Sequence, residues 1–328
     1  MAETHQPDGR SSHPHVSVVM VNYNTKDLTM EAVQSVFSSV QDPSFAVEVI
    51  VVDNDSADGS ADAIAARFQN VRVIRSPENV GFGRGNNLGA TFATGEALFL
   101  LNTDTIVRPG AIEHLYHRLF ENDARGIVGP FLENPDGSYQ CSMLSFPTVW
   151  RTFCVFFWLD RLFPRVPLFA DGMMTHVDPL AEHAVDVING AAMMIRRDLF
   201  EKIGGFDPEY FMYYEESDLC MRVAKLGCVA YYSPGARVLH LISQSSRTHP
   251  WWFYHILRRS RMIYARKHMT PLQRVAMATV VHAAYAFRIV IYPFIGLVKP
   301  RFKMMGRNIL KSYLRFDAPY FPRKNANA

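Results

Sequence analysis

From Val16 onward, short runs of almost purely apolar residues alternate with longer amphipathic stretches. VSVVMVNYN (16–24) precedes TKDLTMEAVQSVFSS (25–39), VEVIVVDNDS (47–56) precedes DGSADAIAARF (58–68), and VRVIRS (71–76) closes the series. A further helical stretch, GNNLGATFATG (85–95), leads into EALFLLNTDT (96–105) and then PGAIEHLYHRLFEN (109–122). Near-continuous Val and Ile runs mark strands buried on both faces, with the intervening helices as their cover. Four such strands in alternation with helices predict an α/β fold, a doubly wound and mainly parallel sheet with helices on both faces.

Beyond residue 125 the pattern loosens. GIVGPFLENPDGSYQCSMLSFPTVW (126–150) reads as a hairpin around Pro135, Asp136 and Gly137. FCVFFWLDRLFPRVPLF (153–169) is aromatic but broken by Pro164 and Pro167, too interrupted to span a bilayer, and reads as a lid, an acceptor-facing surface or core. VINGAAMMI (187–195) predicts one strand, RRDLFEKIG a short helix, EESDLCMRVAKLG (215–227) a helix with three acids in its first turn, and the strand that follows ends at His240.

In doubly wound sheets ligands bind beyond the carboxyl ends of the strands. Asn22, Tyr23 and Asn24 stand at the first such end, Asp53 at the second, Asn102 and Asp104 at the fourth. Asn and Asp also serve there as turn and cap residues. Asp53 and Asp104 each follow a wholly apolar strand, which favours a functional carboxylate. The glycines of SPENVGFGRGNN, at 81, 83 and 85, would let a backbone approach a phosphate near a helix N-terminus. Their spacing and their place after the third strand are wrong for the dinucleotide fingerprint, which belongs after the first. That counts against an NAD(P)-dependent oxidoreductase with a Rossmann-like domain. Helix-dipole complementarity accounts for one or two acids among Glu215, Glu216 and Asp218, less easily for three, and beside the aromatics of YFMYY one of them is a candidate general base. His240, after an apolar run, is a candidate second metal ligand.

In that order, the segments VSVVMVNYN, VIVVDNDSADGS, NVGFGRGNN, LFLLNTDT, NGAAMMIRRDLFEKIGGFDPEYFMYYEESDLCMR and VLHLISQSS resemble glycosyltransferase family 2, and especially its bacterial rhamnosyltransferase-like branch. The resemblance covers roughly residues 16–245. It implies the GT-A fold and inverting transfer of a sugar, with L-rhamnose from dTDP-L-rhamnose as the first expectation, to a saccharide or polyprenyl-linked saccharide acceptor in cell-surface polysaccharide synthesis. It further implies that Asp53, with the backbone near Asn22 and Tyr23, holds the nucleobase and ribose. Asn79, Gly81 and Asn86 or Asn87 would line the nucleotide pocket. Asn102 and Asp104 stand at the family's DxD-like element, with Asp104 and His240 as contacts of a divalent metal, Mg²⁺ or Mn²⁺. Asn102 occupies a position often acidic, which leaves it a water-mediated or indirect contact. Glu216 stands where many relatives have Asp, so the base lies among Glu215, Glu216 and Asp218. A non-catalytic nucleotide-sugar-binding protein is the other reading, and the acid cluster argues for turnover instead.

Composition adds a division the motifs do not show. The net charge is +3, yet residues 251–328 hold fifteen Lys or Arg against the single acid Asp317, while the remainder carries 19 basic and 30 acidic residues. A basic tail on an acidic domain points to an anionic partner. Within the tail, PLQRVAMATVVHAAYAFRIVIYPFIGLVK (271–299) is long enough to span a bilayer but contains His282, Arg288 and Pro293, and a central Arg costs about 2.5–3.5 kcal/mol. Helices lying on the cytoplasmic face of a membrane are the preferred expectation, with a packed helical appendage as the alternative. Nucleic acid is not expected, since it has no use for the apolar run. The predicted organisation is a polar flexible tail at 1–15 without the core of a signal peptide, a catalytic domain at 16–245, and a basic apolar helical region at 246–328. Four scattered cysteines with no CxxC pair predict neither a zinc site nor a disulfide framework and fit a reducing compartment.

Overall fold

The computed structural model describes residues 14–241 and 250–315; most of the predicted N-terminal tail and of the Ser and Gln loop after His240 lies outside them. The first half follows the predicted alternation: β1 (Val16–Asn22), α1 (Lys26–Ser39), β2 (Val47–Asp53), α2 (Ser60–Arg67), β3 (Val71–Arg75), α3 (Phe82–Ala90) and β4 (Ala97–Leu101). These four strands are parallel in the order β3-β2-β1-β4. Side chains alternate between two cores, as pleating requires. Val18, Met20, Val49, Val51 and Phe99 pack under α1 and α2, whereas Val19, Leu98 and Leu100 face the opposite cluster.

The fourth strand ends at Leu101, and Asn102–Asp104, expected just after it, form the turn into β5 (Thr105–Val107), which lies at the far edge of the sheet. After α4 (Ala111–Phe120), β6 (Arg125–Glu133) and the short β7 (Tyr139–Gln140) make the expected hairpin, followed by β8 (Met143–Leu144). The predicted strand 187–195 is broken. Asn189 accepts from Ala191 N through its own side chain and donates to Cys141 O, a local turn that separates β10 from β11. The chain reaches them through α5 (Val149–Phe156), α6 (Leu159–Leu162), α7 (Pro167–Ala170) and β9 (His183–Val185); β10 (Val187–Ile188) pairs with β8, and β11 (Ala192–Arg196) enters the main sheet antiparallel to β4 and β6. The remaining elements are α8 (Arg197–Lys202), α9 (Glu215–Lys225), β12 (Val229–His240), α10 (Pro250–His268), α11 (Pro271–Ile295) and α12 (Pro300–Leu314). β12 runs parallel to β6 and antiparallel to β5, so the sheet is mixed, with a four-stranded parallel half.

Of the three glycines in the stretch, Gly81 stays in the loop before α3 and the other two lie in the helix. Gly83, Gly85 and Gly89 lie inside α3, where an added Cβ would meet Phe206, Val21 and Val19 at 3.0, 2.8 and 2.4 Å. They bring the helix close to the sheet.

The helical C-terminal region does not stand apart. Phe156 of α5 and Tyr210 share an apolar cluster with Tyr264, Met277, Val281, Tyr285, Tyr292 and Ile309. Arg288 faces this cluster: its guanidinium donates to Phe156 O at 2.5 Å and Ala284 O at 3.1 Å and stacks on Phe156 and Trp158. The arginine that argues against a spanning helix is satisfied inside the protein.

Candidate active site

At the ends of β1 and β2 the polar residues hold one another. Asn22 Nδ2 donates to Asp53 Oδ1 at 2.7 Å and Ser60 Oγ at 2.6 Å, while Asn22 Oδ1 accepts from Thr25 and Thr29, each at 2.8 Å. Ser56 N donates to Asp53 Oδ2 at 3.2 Å. The Asn22 amide is spent on positioning, and it fixes the Asp53 carboxylate at the strand end. Asn24, at φ 52°, accepts from Ala57 N and ties the two loops together.

A second clasp holds the loop before α3. Asn54 donates to Asn79 Oδ1 at 2.9 Å and Gly81 O at 3.2 Å, and Val80 N donates back to Asn54 Oδ1. Gly81 adopts φ 88°, and a Cβ there would fall 2.4 Å from Phe211 O, so only glycine allows the loop to meet the 206–214 segment. Asn86 is buried and its Oδ1 has no hydrogen-bond partner, a polar atom left over beside this loop. Asn87, expected to line the nucleotide pocket, instead pairs both amide atoms with the backbone of Phe206. Its side chain is committed to packing.

Asp104 and His240 meet. Asn102 N donates to Ala191 O, Leu241 N donates to Asp104 O, and His240 Nε2 lies 3.3 Å from Asp104 Oδ1. The imidazole orientation follows from its neighbours. Asn134 Nδ2 donates to Ser138 Oγ and Tyr139 O, so Asn134 Oδ1 faces Gln140 Nε2, which donates to it and to His240 O. Gln140 Oε1 is left to accept from His240 Nδ1 at 2.5 Å. With Nδ1 turned to Gln140, Nε2 is the ring atom that faces the Asp104 carboxylate, and a proton or a cation between the two would hold them together. Among the described residues no cluster of three or more His, Cys, Asp or Glu side chains is placed to hold a metal. A hard divalent ion that keeps its waters and bridges to a diphosphate needs only one or two protein contacts, so the pair fits. Gln140 had no signal in the sequence, a hundred residues from the histidine it orients.

The three acids of α9 separate by environment. Asp218 is buried, ion-paired with Arg222 at 2.8 Å and hydrogen-bonded to His268 Nε2 at 2.7 Å; burial works against its charge, but those partners hold its carboxyl below the usual range. That engagement takes it out of the candidates for base. Glu215 is buried with no partner for Oε2, and burial, then the neighbouring Glu216, pushes its carboxyl well up. Glu216 is half-buried and pushed up to about 7 by burial. A Cβ on Gly190 would sit 3.5 Å from Glu216 Cβ, and adjacent Ala191 accepts from Asn102 N, so this short segment is in contact with both the Asn102–Asp104 turn and Glu216. Tyr213 and Tyr214, just before α9, both adopt left-handed backbone, at φ 68° and 70°. For bulky side chains that is strain, of the kind that collects at working sites.

The segment bearing these acids is latched from outside by α10: Ser260 Oγ donates to Met212 O at 2.7 Å, Arg261 Nε to Tyr214 OH at 2.5 Å, and Lys267 pairs with Asp207 at 2.5 Å.

Comparison with known proteins gives a consistent picture. The model of the family described as "Glycosyl transferase family 2" matches residues 17–204. The chain is 32% identical over 215 residues to an N-acetylglucosaminyl-diphospho-decaprenol L-rhamnosyltransferase of Mycobacterium tuberculosis, covering 62% of this chain and 69% of that one. It is 25% identical over 179 residues to the rhamnosyltransferase WbbL of Escherichia coli, covering 51% and 63%. In structure it is similar to a mannosyltransferase of Pyrobaculum calidifontis solved with GDP-Man and Mn²⁺, with a TM-score of 0.57 at 17% identity, covering 94% of this chain and 88% of that one.

Proposed function

The chain belongs to glycosyltransferase family 2 and has the GT-A fold, and from that premise we propose that it transfers a sugar, L-rhamnose from dTDP-L-rhamnose first among the candidates, to a hydroxyl of a lipid-linked saccharide. The lipid diphosphate in the mycobacterial relative's name supports this acceptor class and an action at the cytoplasmic face of the membrane. The observation that carries the reading is that residues 190 and 191 touch both Glu216 and the Asn102–Asp104 turn.

In this reading Asp53 and the clasped loop at 79–81 receive the nucleoside, with Asn86 buried behind that loop. Asp104 and His240 would hold the divalent ion. When bound, it offsets the charge gathering on the leaving diphosphate. Glu216 takes the proton of the acceptor hydroxyl as that oxygen attacks the anomeric carbon from the face opposite the diphosphate. One displacement inverts the centre. A base whose carboxyl sits at about 7 is divided between its two forms at neutral pH, so it both accepts the proton and gives it up readily.

Full-length protein given dTDP-L-rhamnose, a series of UDP-hexoses and a polyprenyl-linked saccharide with Mn²⁺ tests the proposal. The expected outcome is rhamnosyl transfer that rises as pH passes through about 7, because only the unprotonated form of Glu216 serves as base. Glu216→Gln should bind donor as the parent does and lose transfer by about 10²–10⁴-fold. Asp104→Asn should weaken Mn²⁺-dependent donor binding. Transfer unaffected by either change would overturn the site, and donor binding without transfer in the parent would favour a non-catalytic binder.

A further inference from the structure

The outward face of α11 and the residues of 150–168 form one apolar surface. Five consecutive ring contacts join them: Phe163 to Phe169 at 5.2 Å, Phe169 to Trp150 at 6.2 Å, Trp150 to Phe153 at 5.5 Å, Phe153 to Phe157 at 4.6 Å and Phe157 to Phe287 at 6.1 Å. From Phe287 the same helix face continues through Val290 and Phe294, and beyond its end through Leu297 and Val298. At the other end stand Leu162 and Leu168. Leu162, Leu168, Phe294, Leu297 and Val298 are each more than 60% exposed. A soluble monomer rarely leaves so extended an apolar surface open to water.

Its borders are cationic. Arg161 and Arg165 flank the first part, Lys299, Arg301 and Lys303 the second, and all five are exposed. Neither 149–170 nor 271–315 exposes a carboxylate; the single acid in them, Asp160, is buried. Aliphatic and aromatic side chains fringed by Lys and Arg, with no acid among them, match the boundary between headgroups and acyl chains of an anionic bilayer. Spanning does not fit. Among the described residues α11 is the one helix long and apolar enough to cross a membrane, but its other face is fixed to α5 and α12 through Met277, Val281, Tyr285, Arg288 and Tyr292.

We propose that this composite face docks the enzyme on an anionic lipid surface, and that residues 158–168 of the catalytic half are as much a part of it as the end of α11. The inference rests on the reading of a membrane-side transferase and adds the surface that touches the lipid. A lipid-linked acceptor would then be met by a protein already lying in its plane.

Cosedimentation of the full-length protein with vesicles, in the absence of donor and acceptor, tests the surface independently of catalysis. The parent should bind vesicles of phosphatidylcholine with about one-third phosphatidylglycerol, bind pure phosphatidylcholine far less, and release with salt. Leu162→Ser/Phe163→Ser/Leu168→Ser and, separately, Phe294→Ser/Leu297→Ser/Val298→Ser should each weaken binding by about tenfold or more. Arg161→Glu/Arg165→Glu, which alters exposed charges only, should weaken binding to the anionic vesicles with the thermal midpoint unchanged. Failure of the parent to bind, or equal binding by the 162/163/168 variant, would overturn the proposal. So would concentration-dependent self-association of the parent that both triple variants abolish, since the face would then cover a second copy. Loss of transfer activity with vesicle binding intact would count against the chemistry and not against this surface.

Discussion

Glu215 and Glu216 are neighbours with different work to do. Glu216 lies against residues 189–191, whereas Glu215 is buried with an oxygen that bonds to nothing, so its charged form is costly. Its folded carboxyl sits above the unfolded value, so the native state holds the proton longer than the unfolded chain does. The associated stability is full below the ordinary carboxyl range, roughly 4.3, and is lost as pH rises toward the folded value. Glu215→Gln should therefore melt higher than the parent at pH 8 and lose that advantage near pH 4; a gain that does not depend on pH would contradict the assignment. Gln140 offers a separate test, because its side chain holds His240 Nδ1 and so orients the ring toward Asp104. Gln140→Leu should weaken Mn²⁺ binding about 10–100-fold in calorimetry with nucleotide present, leaving Asp104 and His240 in place. At this scale the sequence singles out the strand-end acids and His240 as candidates, since each follows an apolar run, and the fold brings Asp104 and His240 together. It could not announce Gln140 or the Asn54 clasp, whose partners are fixed only by the fold, nor that Asn22, Asn87 and Asp218 are committed to internal bonds.

The parallel half of the sheet is legible because burial on both faces leaves near-continuous apolar runs in β1, β2 and β4, while the edge strand β3, VRVIR, is half-exposed and is marked by its place in the alternation. β11 was misread as the end of a longer strand because nothing apolar distinguishes VI from AMMI; the turn at Asn189 is made by hydrogen bonds, not by hydropathy. Gly83 and Gly85 are illegible for the same reason, since a glycine that admits a phosphate and one that admits Phe206 or Val21 look alike in sequence. The element with the largest unforeseen role is α10. It holds the strained Tyr213–Tyr214 turn through Met212 O and Tyr214 OH, at the start of the helix that carries Glu216. Arg261→Ala should lower kcat more than it raises the donor KM, because the turn and the base move while the nucleotide clasp does not. Arg261→Lys keeps a charge but not the planar group stacked on Phe156, and should restore activity only in part. Equal changes in kcat and KM would mean that α10 supports the fold generally and not the base.

The division of charge along the chain also looks different in three dimensions. Part of the basic tail answers acids of the catalytic half directly, with Arg266 on Glu209 and Lys267 on Asp207, while the described lysines and arginines beyond α11, residues 299–315, are exposed. Apolar contacts follow the same course: Trp252 packs edge-on to Phe211 at 5.8 Å, Tyr210 is fully buried within the cluster made by α10 and α11, and His268 closes the Asp218 pair. Removing everything after residue 245 would uncover Tyr210, Phe211 and Phe156 and leave Asp218 with Arg222 alone. Each large apolar side chain returned to water costs about 1.5–3 kcal/mol, and a buried carboxylate stripped of a partner about 3–5 kcal/mol. Against the roughly 5–15 kcal/mol by which a typical domain is stable, those losses are large enough to unfold it. A chain ending at 245 should therefore be insoluble or melt far below the full-length protein, and detergent should not restore it, because the lost surface is internal and not lipid-facing. A truncated chain with a normal melting transition and normal donor binding would show that the helices are an addition to a self-sufficient catalytic domain. The full-length protein should instead unfold in one transition, with the base, its latch and the membrane face lost together.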